Sequence, residues 1–287
     1  MPAAFKYYED KVLLDHPKKD APEIKTTVPK PYRLYCADCL EKMKEIPDCT
    51  FDMIFADPPY MLSNGGISCQ AGKVVSVNKG KWDESQGFEN DFEFHKKWLA
   101  ECRRLLKSNG TLWVSGTYHS IYSCGFAMQL LGFHILNDIS WFKPNASPNM
   151  SCRYFTASHE TLIWARKDKK SKHVFNYEAM KNGNFPKDFI KKPNLQMRSV
   201  WSISTPTPSE KIFGKHPTQK PLDLLVRIIL AATNPNDLIF DPFMGGGTTG
   251  VAAVKFGRRF VGIDKEQVFY NLSKKRIENE LNQKGTL

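Results

Sequence analysis

The 287-residue chain has no apolar run of about 18 residues, the length a helix needs to cross a bilayer, and its opening stretch MPAAFKYYEDKVLLDHPKKD lacks the apolar core of a secretion signal. These absences predict a soluble, cytoplasmic protein with no membrane contact. Its seven cysteines are an odd number without a repeated spacing, which argues against a secreted disulfide framework and for a reducing compartment. Cys36 and Cys39 have C-x-x-C spacing, but no second pair and no paired histidines follow at zinc-ribbon or zinc-finger distances, so no metal is expected. The C-terminal glycine cluster is not followed by Lys-Ser/Thr, which excludes a P-loop. No internal repeat or low-complexity tract is present.

An excess of basic residues is present. The 41 Lys and Arg against 30 Asp and Glu give a net charge of +11, which suggests a polyanionic partner. The 41% hydrophobic content supports a packed core, either one large α/β domain with an insertion or two small domains.

Residues 1–30 are polar, charged and proline-containing, and read as an arm. From residue 33 the pattern is a strand at 33–36, a helix at about 38–46 and a strand at about 52–56. Residues 63–85, rich in Gly, Ser, Asn and Lys, are long for a structureless connection, and such loops are usually functional. A helix at roughly 88–106 is expected to stop at the Asn-Gly of KSNG. The strand TLWVSG, a helix at 119–131 and the strands FHILNDISWFK and ETLIWARK follow, the last two suited to the antiparallel edge of a mixed sheet. Between Arg166 and Lys192, Lys and Arg outnumber the acids Asp168, Glu178 and Asp188. The segment 166–215 reads either as a solvated excursion or as a nucleic-acid contact region, with aromatics interleaved among the charges. An amphipathic helix in TQKPLDLLVRIILAAT precedes strand 237–241, a glycine turn, helix 248–256, strand 259–264 and a helix at about 266–281.

Two stretches carry chemistry. In FDMIFADPPY the apolar run stops at Asp57, Pro58, Pro59 and Tyr60. Proline ends sheet pairing and keeps the residue before it extended, so Asp57 is presented at a fixed place, although an ordinary strand exit reads the same way. In DLIFDPFMGGGTTGVAAVKFGRRFVGIDKE a strand ends at Asp241, a turn carries Gly245, Gly246 and Gly247, a helix opens at Thr248 or Thr249, and a second strand ends at Asp264. Glycines let backbone approach a ligand closely, and an acid at the tip of the next strand is placed to accept ribose hydroxyls. Gly245, Gly247 and Gly250 also satisfy G-x-G-x-x-G, which leaves a nicotinamide or flavin enzyme open, as well as a turn that only joins a strand to a helix.

A nucleotide-binding sheet needs a further strand after Asp264, and the chain leaves only one helix there. The N-terminal strands 33–36 and 52–56 supply it. Joined in space, the halves give one doubly wound sheet whose ligand crevice lies between the strands ending at Asp241 and Asp57.

DPFMGGGTTG together with FADPPY resembles the amino-methyltransferases of DNA, and the order of these motifs, with HPTQKP before the last βαβ unit, resembles their permuted β group over about residues 33–281. The resemblance implies a class I methyltransferase fold, Rossmann-like and circularly permuted, with a catalytic half over 31–165, an inserted target-recognition region over 166–215 and a cofactor half over 216–287. It implies S-adenosylmethionine as cofactor. Asp241, Pro242, Phe243, Gly245, Gly247, Thr248 and Thr249 would hold its methionine part, Asp264 the ribose and Asp38 the adenine amino group, while Asp38 equally suits a helix N-cap. His216, Thr218, Gln219 and Lys220 resemble the motif that packs on the methionine end. Asp57, Pro58, Pro59 and Tyr60 would form the reaction site, with Asp57 also at the cofactor's edge.

NGGIS, GKVVSVNKGKWD and NMSCRYFT resemble DpnA-like methyltransferases of systems acting on GATC. The expectation is N6 methylation of adenine in double-stranded DNA, with single-stranded DNA as a second substrate, within a restriction-modification system, in a chain that can pair as a homodimer and work beside a cognate endonuclease. Lys73, Lys79, Lys81, Arg153, Lys169, Lys170 and Lys172 are the candidate DNA contacts. Cytosine-N4 transfer is the nearest rival, then RNA methylation, then a non-catalytic nucleic-acid-binding protein on the same fold. D-P-P-Y has no task in a dehydrogenase.

Overall fold

The computed structural model describes residues 30–63, 67–70, 73–76, 79–149, 152–183, 185, 188 and 195–284. Nearly all of the expected N-terminal arm therefore lies outside the described residues. The short apolar runs become strands of one eight-stranded sheet: β1 (Tyr32–Cys36), β2 (Phe51–Ala56), β5 (Leu106–Gly116), β6 (His134–Phe142), β7 (His159–Arg166), β8 (Val200–Ser202), β9 (Leu238–Asp241) and β10 (Arg259–Asp264). Their order is β1-β10-β9-β2-β5-β7-β6-β8, with β7 running against its neighbours β5 and β6 and the remaining pairings parallel. The permutation read from the motif order is met, since β1 pairs with β10 and β2 with β9.

Helices cover both faces, as a parallel sheet requires. α1 (Cys39–Lys44), α2 (Phe88–Leu105) and α3 (Ile121–Leu130) pack on one side, where Met43, Trp98, Leu99, Cys102 and Met128 meet Ile54, Ala56 and Phe240 of the strands. α5 (Leu222–Ala232), α6 (Thr248–Lys255) and α7 (Gln267–Lys284) pack on the other, where Leu225, Ile228, Ile229, Ala252 and Ile277 meet Met53, Phe55 and Ile239. Alternation along β2 thus sends Met53 and Phe55 to one core and Ile54 and Ala56 to the other. Met53, Ile54 and Phe55, fully buried, each contribute about 1.5–3 kcal/mol. α2 is helical because Trp98, Leu99, Cys102 and Leu105 share one face, with Glu89 and Asp91 in its first turn and Arg103 and Arg104 in its last, matching the helix dipole.

Two expectations are corrected, and the described part of a third region is placed in the fold. The Asn-Gly of KSNG does not end α2. That helix stops at Leu105, β5 starts at once, and the partner of β2 jumps from Leu106 to Thr111, leaving Lys107–Gly110 as a bulge within the strand. Lys107 Nζ donates to Asp52 Oδ1 at 2.7 Å and so ties the bulge to β2. Within residues 63–85, read from the sequence as a functional loop without strands, β3 (Ile67–Gln70) and β4 (Lys73–Ser76) form an antiparallel hairpin. The described residues of 166–215 are stitched into the domain body. α4 (Tyr177–Asn182) lies against α5, Met180, Trp201 and Ile203 are in the core, β8 extends the sheet, and Arg227 pairs with Asp188 at 2.5 Å.

Candidate active site at the carboxyl edge of the sheet

β1, β10, β9 and β2 end side by side, and the crevice opens between β9 and β2, where the strand order reverses. A cavity of about 230 Å³ lies there, lined from one side by Asp57, Tyr60 and Lys220 and from the other by Asp241, Gly245 and Asp264.

On the glycine side, shape is set by the protein's own hydrogen bonds. Gly245 and Gly247 have φ of 49° and 72°, the left-handed region open to glycine. Asp264 Oδ2 accepts from Gly245 N at 2.9 Å and its Oδ1 from Glu266 N at 2.8 Å. Ser273 Oγ donates to the Gly245 carbonyl at 2.6 Å, and Arg276 donates to the Gly246 carbonyl. Thr249 Oγ1 donates to Asp241 Oδ2 at 2.6 Å and Thr248 Oγ1 to the Lys220 carbonyl at 3.1 Å, so both hydroxyls brace the turn they line. Gly250 serves packing, because a Cβ there would lie 2.5 Å from Ile277 Cδ1. Burial pushes Asp241 up to about 7 and Asp264 up to about 6.

On the D-P-P-Y side the polar groups pair with one another. Tyr60 Oη donates to Asp57 Oδ1 at 2.6 Å and lies 3.1 Å from Glu160 Oε2 and 3.3 Å from Ser115 Oγ. Lys220 Nζ donates to Asp57 Oδ2 at 2.6 Å and to Tyr60 Oη at 3.1 Å, with Glu160 Oε2 3.5 Å away. Lys143 Nζ holds Glu160 Oε1 at 3.1 Å. Two carboxylates thus face two ammoniums in a buried cluster. Burial works to raise Glu160, and the flanking ammoniums of Lys220 and Lys143 overcome it and hold the carboxyl at about 2. Burial raises Asp57, Glu160 adding to the rise and Lys220 opposing it.

Asp38, His216, Thr218, Gln219, Pro242 and Phe243 line the same cavity as the glycine turn. Asp38 is also the N-cap of α1, its Oδ1 accepting from Leu40 N and Glu41 N. His216 lies between Trp82 and Phe269, with ring centroids 6.2 Å and 4.2 Å away, and burial, with the positive charges of Lys220, Arg276 and Lys79, pushes it down to about 3. Lys220, expected toward the cofactor's methionine end, lines the same cavity, and its ammonium reaches Asp57. Lys79 lies over the Tyr60 ring at 5.6 Å. The side chains of Lys73 and Lys81 lie outside the described residues. Arg153 is exposed in the connection between β6 and β7, at the same edge of the sheet as the cavity. Lys169, Lys170 and Lys172 are not brought to the site. They follow Arg166, which pairs with Thr111 just past the bulge of β5 and with His134, the first residue of β6, because β7 runs antiparallel and carries the chain to the opposite edge.

Two functional positions have no motif in the sequence. Glu160 is one. The other is Asp83, 1% exposed, whose Oδ1 accepts from Tyr60 N and Met61 N at 2.9 and 3.0 Å and whose Oδ2 accepts from Leu62 N and Ser63 Oγ at 3.2 and 2.9 Å. One carboxylate thereby latches the whole turn after D-P-P-Y. The acid of KWDE next to a tryptophan was a signal, but a weak one.

The family model described as DNA methylase, of the N6/N4 methyltransferase type, matches residues 51–275. The chain belongs to that family. It is 53% identical over 242 residues to the type II methyltransferase M2.LlaDCHI of Lactococcus lactis subsp. cremoris, covering 84% of this chain and 87% of that protein. It is 54% identical over 242 residues to M2.DpnII of Streptococcus pneumoniae, covering 84% and 86%, and 46% identical over 262 residues to M2.MboI of Moraxella bovis, covering 89% and 93%. Among solved structures, the M1.HpyAVI–S-adenosylmethionine complex superposes with a TM-score of 0.62 at 29% identity, covering 86% of this chain and 98% of that one. The cytosine-N4-specific PvuII DNA methyltransferase superposes with a TM-score of 0.64 at 18% identity, covering 88% and 90%, which shows a shared fold.

This DNA methyltransferase uses S-adenosylmethionine, and its residues fit that cofactor. Gln219 Oε1 is buried at the cavity without a hydrogen-bond partner among the described residues. A Cβ on Gly245 would lie 3.0 Å from the His216 ring, so the turn leaves space only where it carries no side chain.

Proposed function

We propose that this methyltransferase acts on the N6 amino group of adenine within GATC, on a base turned out of double-stranded DNA, and that single-stranded DNA is also a substrate. The observation that carries adenine over cytosine is the carboxylate of Asp57 at the end of β2, 2.6 Å from the Tyr60 hydroxyl and facing the glycine turn across one cavity. Serine commonly stands at that position in the cytosine-N4 enzymes that the motif resembles. The GATC assignment is supported by the motif likeness and by the identity to the type II methyltransferases M2.DpnII and M2.MboI.

S-adenosylmethionine, when bound, supplies an activated methyl group on a positively charged sulfur. The chain's task is to improve a poor nucleophile. The adenine N6 lone pair is delocalised into the ring, and two acceptors, the Asp57 carboxylate and the Pro58 carbonyl, draw the amine toward tetrahedral geometry and stabilise the positive charge that develops on it. Tyr60 offers its ring to the base while its backbone N–H is fixed by Asp83. A carboxylate whose proton affinity burial has raised suits uptake of the proton that the methylated amine sheds. Asp241, Gly245, His216, Gln219 and Asp264 hold the cofactor, with Asp38 at the adenine end. Lys79 and Arg153 contact DNA from the cavity's edge, and the chain works beside a cognate endonuclease.

The test is incubation with labelled S-adenosylmethionine and duplexes carrying GATC or a scrambled site, followed by digestion to nucleosides. N6-methyldeoxyadenosine from the GATC duplex alone is expected. N4-methyldeoxycytidine would overturn the base assignment, and equal labelling of the scrambled duplex the target assignment.

A further inference from the structure

The acceptor carboxylate already carries a donor on each oxygen, Tyr60 Oη on Oδ1 and Lys220 Nζ on Oδ2, each at 2.6 Å, and only 14% of its side-chain surface is open. A target amine therefore arrives as a competing donor. The two present donors differ in how readily they leave. Tyr60 is a rigid ring whose backbone N–H is latched to Asp83, and its hydroxyl is surrounded by Asp57, Glu160, Ser115 and Lys220. Lys220 ends a flexible four-carbon stem, and a second carboxylate, Glu160, stands 3.5 Å from its ammonium. Glu160 is held from its far side by Lys143 at 3.1 Å and keeps Oε2 directed toward Lys220 and Tyr60.

We propose that Lys220 is an exchangeable occupant of the acceptor site: its ammonium holds the place of the target amine on Asp57 and moves fully onto Glu160 as the base enters. The inference rests on the reading of D-P-P-Y as the acceptor of an exocyclic amine. It accounts for a second acid beside the catalytic one. A buried ammonium displaced from its only carboxylate costs several kcal/mol, and an alternative partner one short movement away removes most of that cost. Charge within the cluster is conserved during the exchange, because a neutral amine replaces an ammonium that stays inside it. Glu160 is thus a positioning residue, acting through Lys220.

The test reads how strongly the enzyme prefers a target base with its amine over the same base without it. Dissociation constants are measured with S-adenosylhomocysteine present, for duplexes carrying adenine or purine at the target position. If the wild type methylates cytosine instead, cytosine and its 4-deamino analogue replace them, so an error in base assignment is read separately from failure of the exchange. Lys220→Met removes the competitor and is expected to raise the preference about tenfold, while Glu160→Gln removes the parking acid and is expected to abolish it. A role in folding or in overall charge balance would lower the preference in both variants, and that result, or no change in either, overturns the proposal. Should Glu160→Gln not fold, Lys220→Met decides alone, a rise supporting the exchange and a fall or no change overturning it.

Discussion

The two walls of the cavity are built on different principles. On the glycine side, hydroxyl, guanidinium and carboxylate groups are spent mostly on backbone atoms of the turn, with Thr249 on the Asp241 carboxylate, and neither Asp241 nor Asp264 makes a salt bridge among the described residues. On the D-P-P-Y side, Asp57, Glu160, Lys220 and Lys143 are spent on one another. The first wall is a mould whose shape lies in the backbone. The second is a set of charges with more than one pairing available. On the proposed reading the first wall meets the cofactor and the second the reacting amine, so that one ligand is met by shape and the other by charge.

The largest separation of the two comes from Asp57→Ala. Methyl transfer is expected to fall by at least about a hundredfold, as when a preorganised transition-state contact is removed, while S-adenosylmethionine affinity stays as in the wild type. Equilibrium binding and single-turnover methylation check it. Loss of cofactor binding as well would merge the walls into one unit.

The converse variant is Gly247→Ala. Its φ of 72° disfavours a side chain, and a Cβ would lie 2.7 Å from Ser273 Cβ and 2.9 Å from Ser273 Cα, so the helix behind must move. The cost is about 1–3 kcal/mol, read as a lower melting temperature and weaker cofactor binding, with the rate at saturating cofactor little changed. A change in rate without a change in cofactor affinity would contradict the mould.

These walls differ in how legible they were in the sequence. The glycine wall is local. A strand ending in Asp241, a turn and a strand ending in Asp264 fall within one stretch, and the permuted pairing of β1 with β10 followed from the missing strand. The charge wall is not local, because Tyr60 meets Glu160 a hundred positions away and Lys220 farther still. Only Asp57 and Tyr60 announced themselves, through the prolines between them. β8 is three residues long and is a strand only because it lies against β6. Lys169, Lys170 and Lys172 were selected by charge, and charge carries no information on which edge of the sheet a strand delivers it to. The direction of β7 decides that.

A smaller effect sharpens the boundary between mould and charges. Asp83 latches Tyr60 through backbone N–H groups, as the glycine wall does, yet serves the charge wall. Asp83→Asn keeps an acceptor for Tyr60 N and Met61 N but turns an amide donor toward Leu62 N and Ser63 Oγ. A loss of about 1 kcal/mol is expected, seen as a roughly fivefold lower kcat at unchanged cofactor affinity. An unchanged kcat would mean that the turn after D-P-P-Y keeps its shape without the latch.

The smallest net effect concerns pH between acid and neutral, where opposing shifts share one range. His216, pushed from 6.5 to about 3 by burial and by its cationic neighbours, binds fewer protons folded than unfolded between those values. Its contribution to stability is therefore fully present above pH 6.5 and is lost as pH falls toward about 3. Asp241 and Asp264, raised from 3.8 to about 7 and about 6, carry the opposite sign, since their contribution is present below 3.8 and is lost as pH rises through those raised values. The glycine wall thus opposes itself in pH. Urea midpoints measured from about pH 3 to about pH 8 should show His216→Asn removing the loss of stability toward acid between 6.5 and about 3, and Asp241→Asn removing the loss toward neutrality between 3.8 and about 7, so that the two variants tilt the curve in opposite directions over their shared range. Parallel curves for both variants and the wild type would mean that these groups are relieved by water or by a shift of the turn, and that the mould is softer than its hydrogen bonds imply.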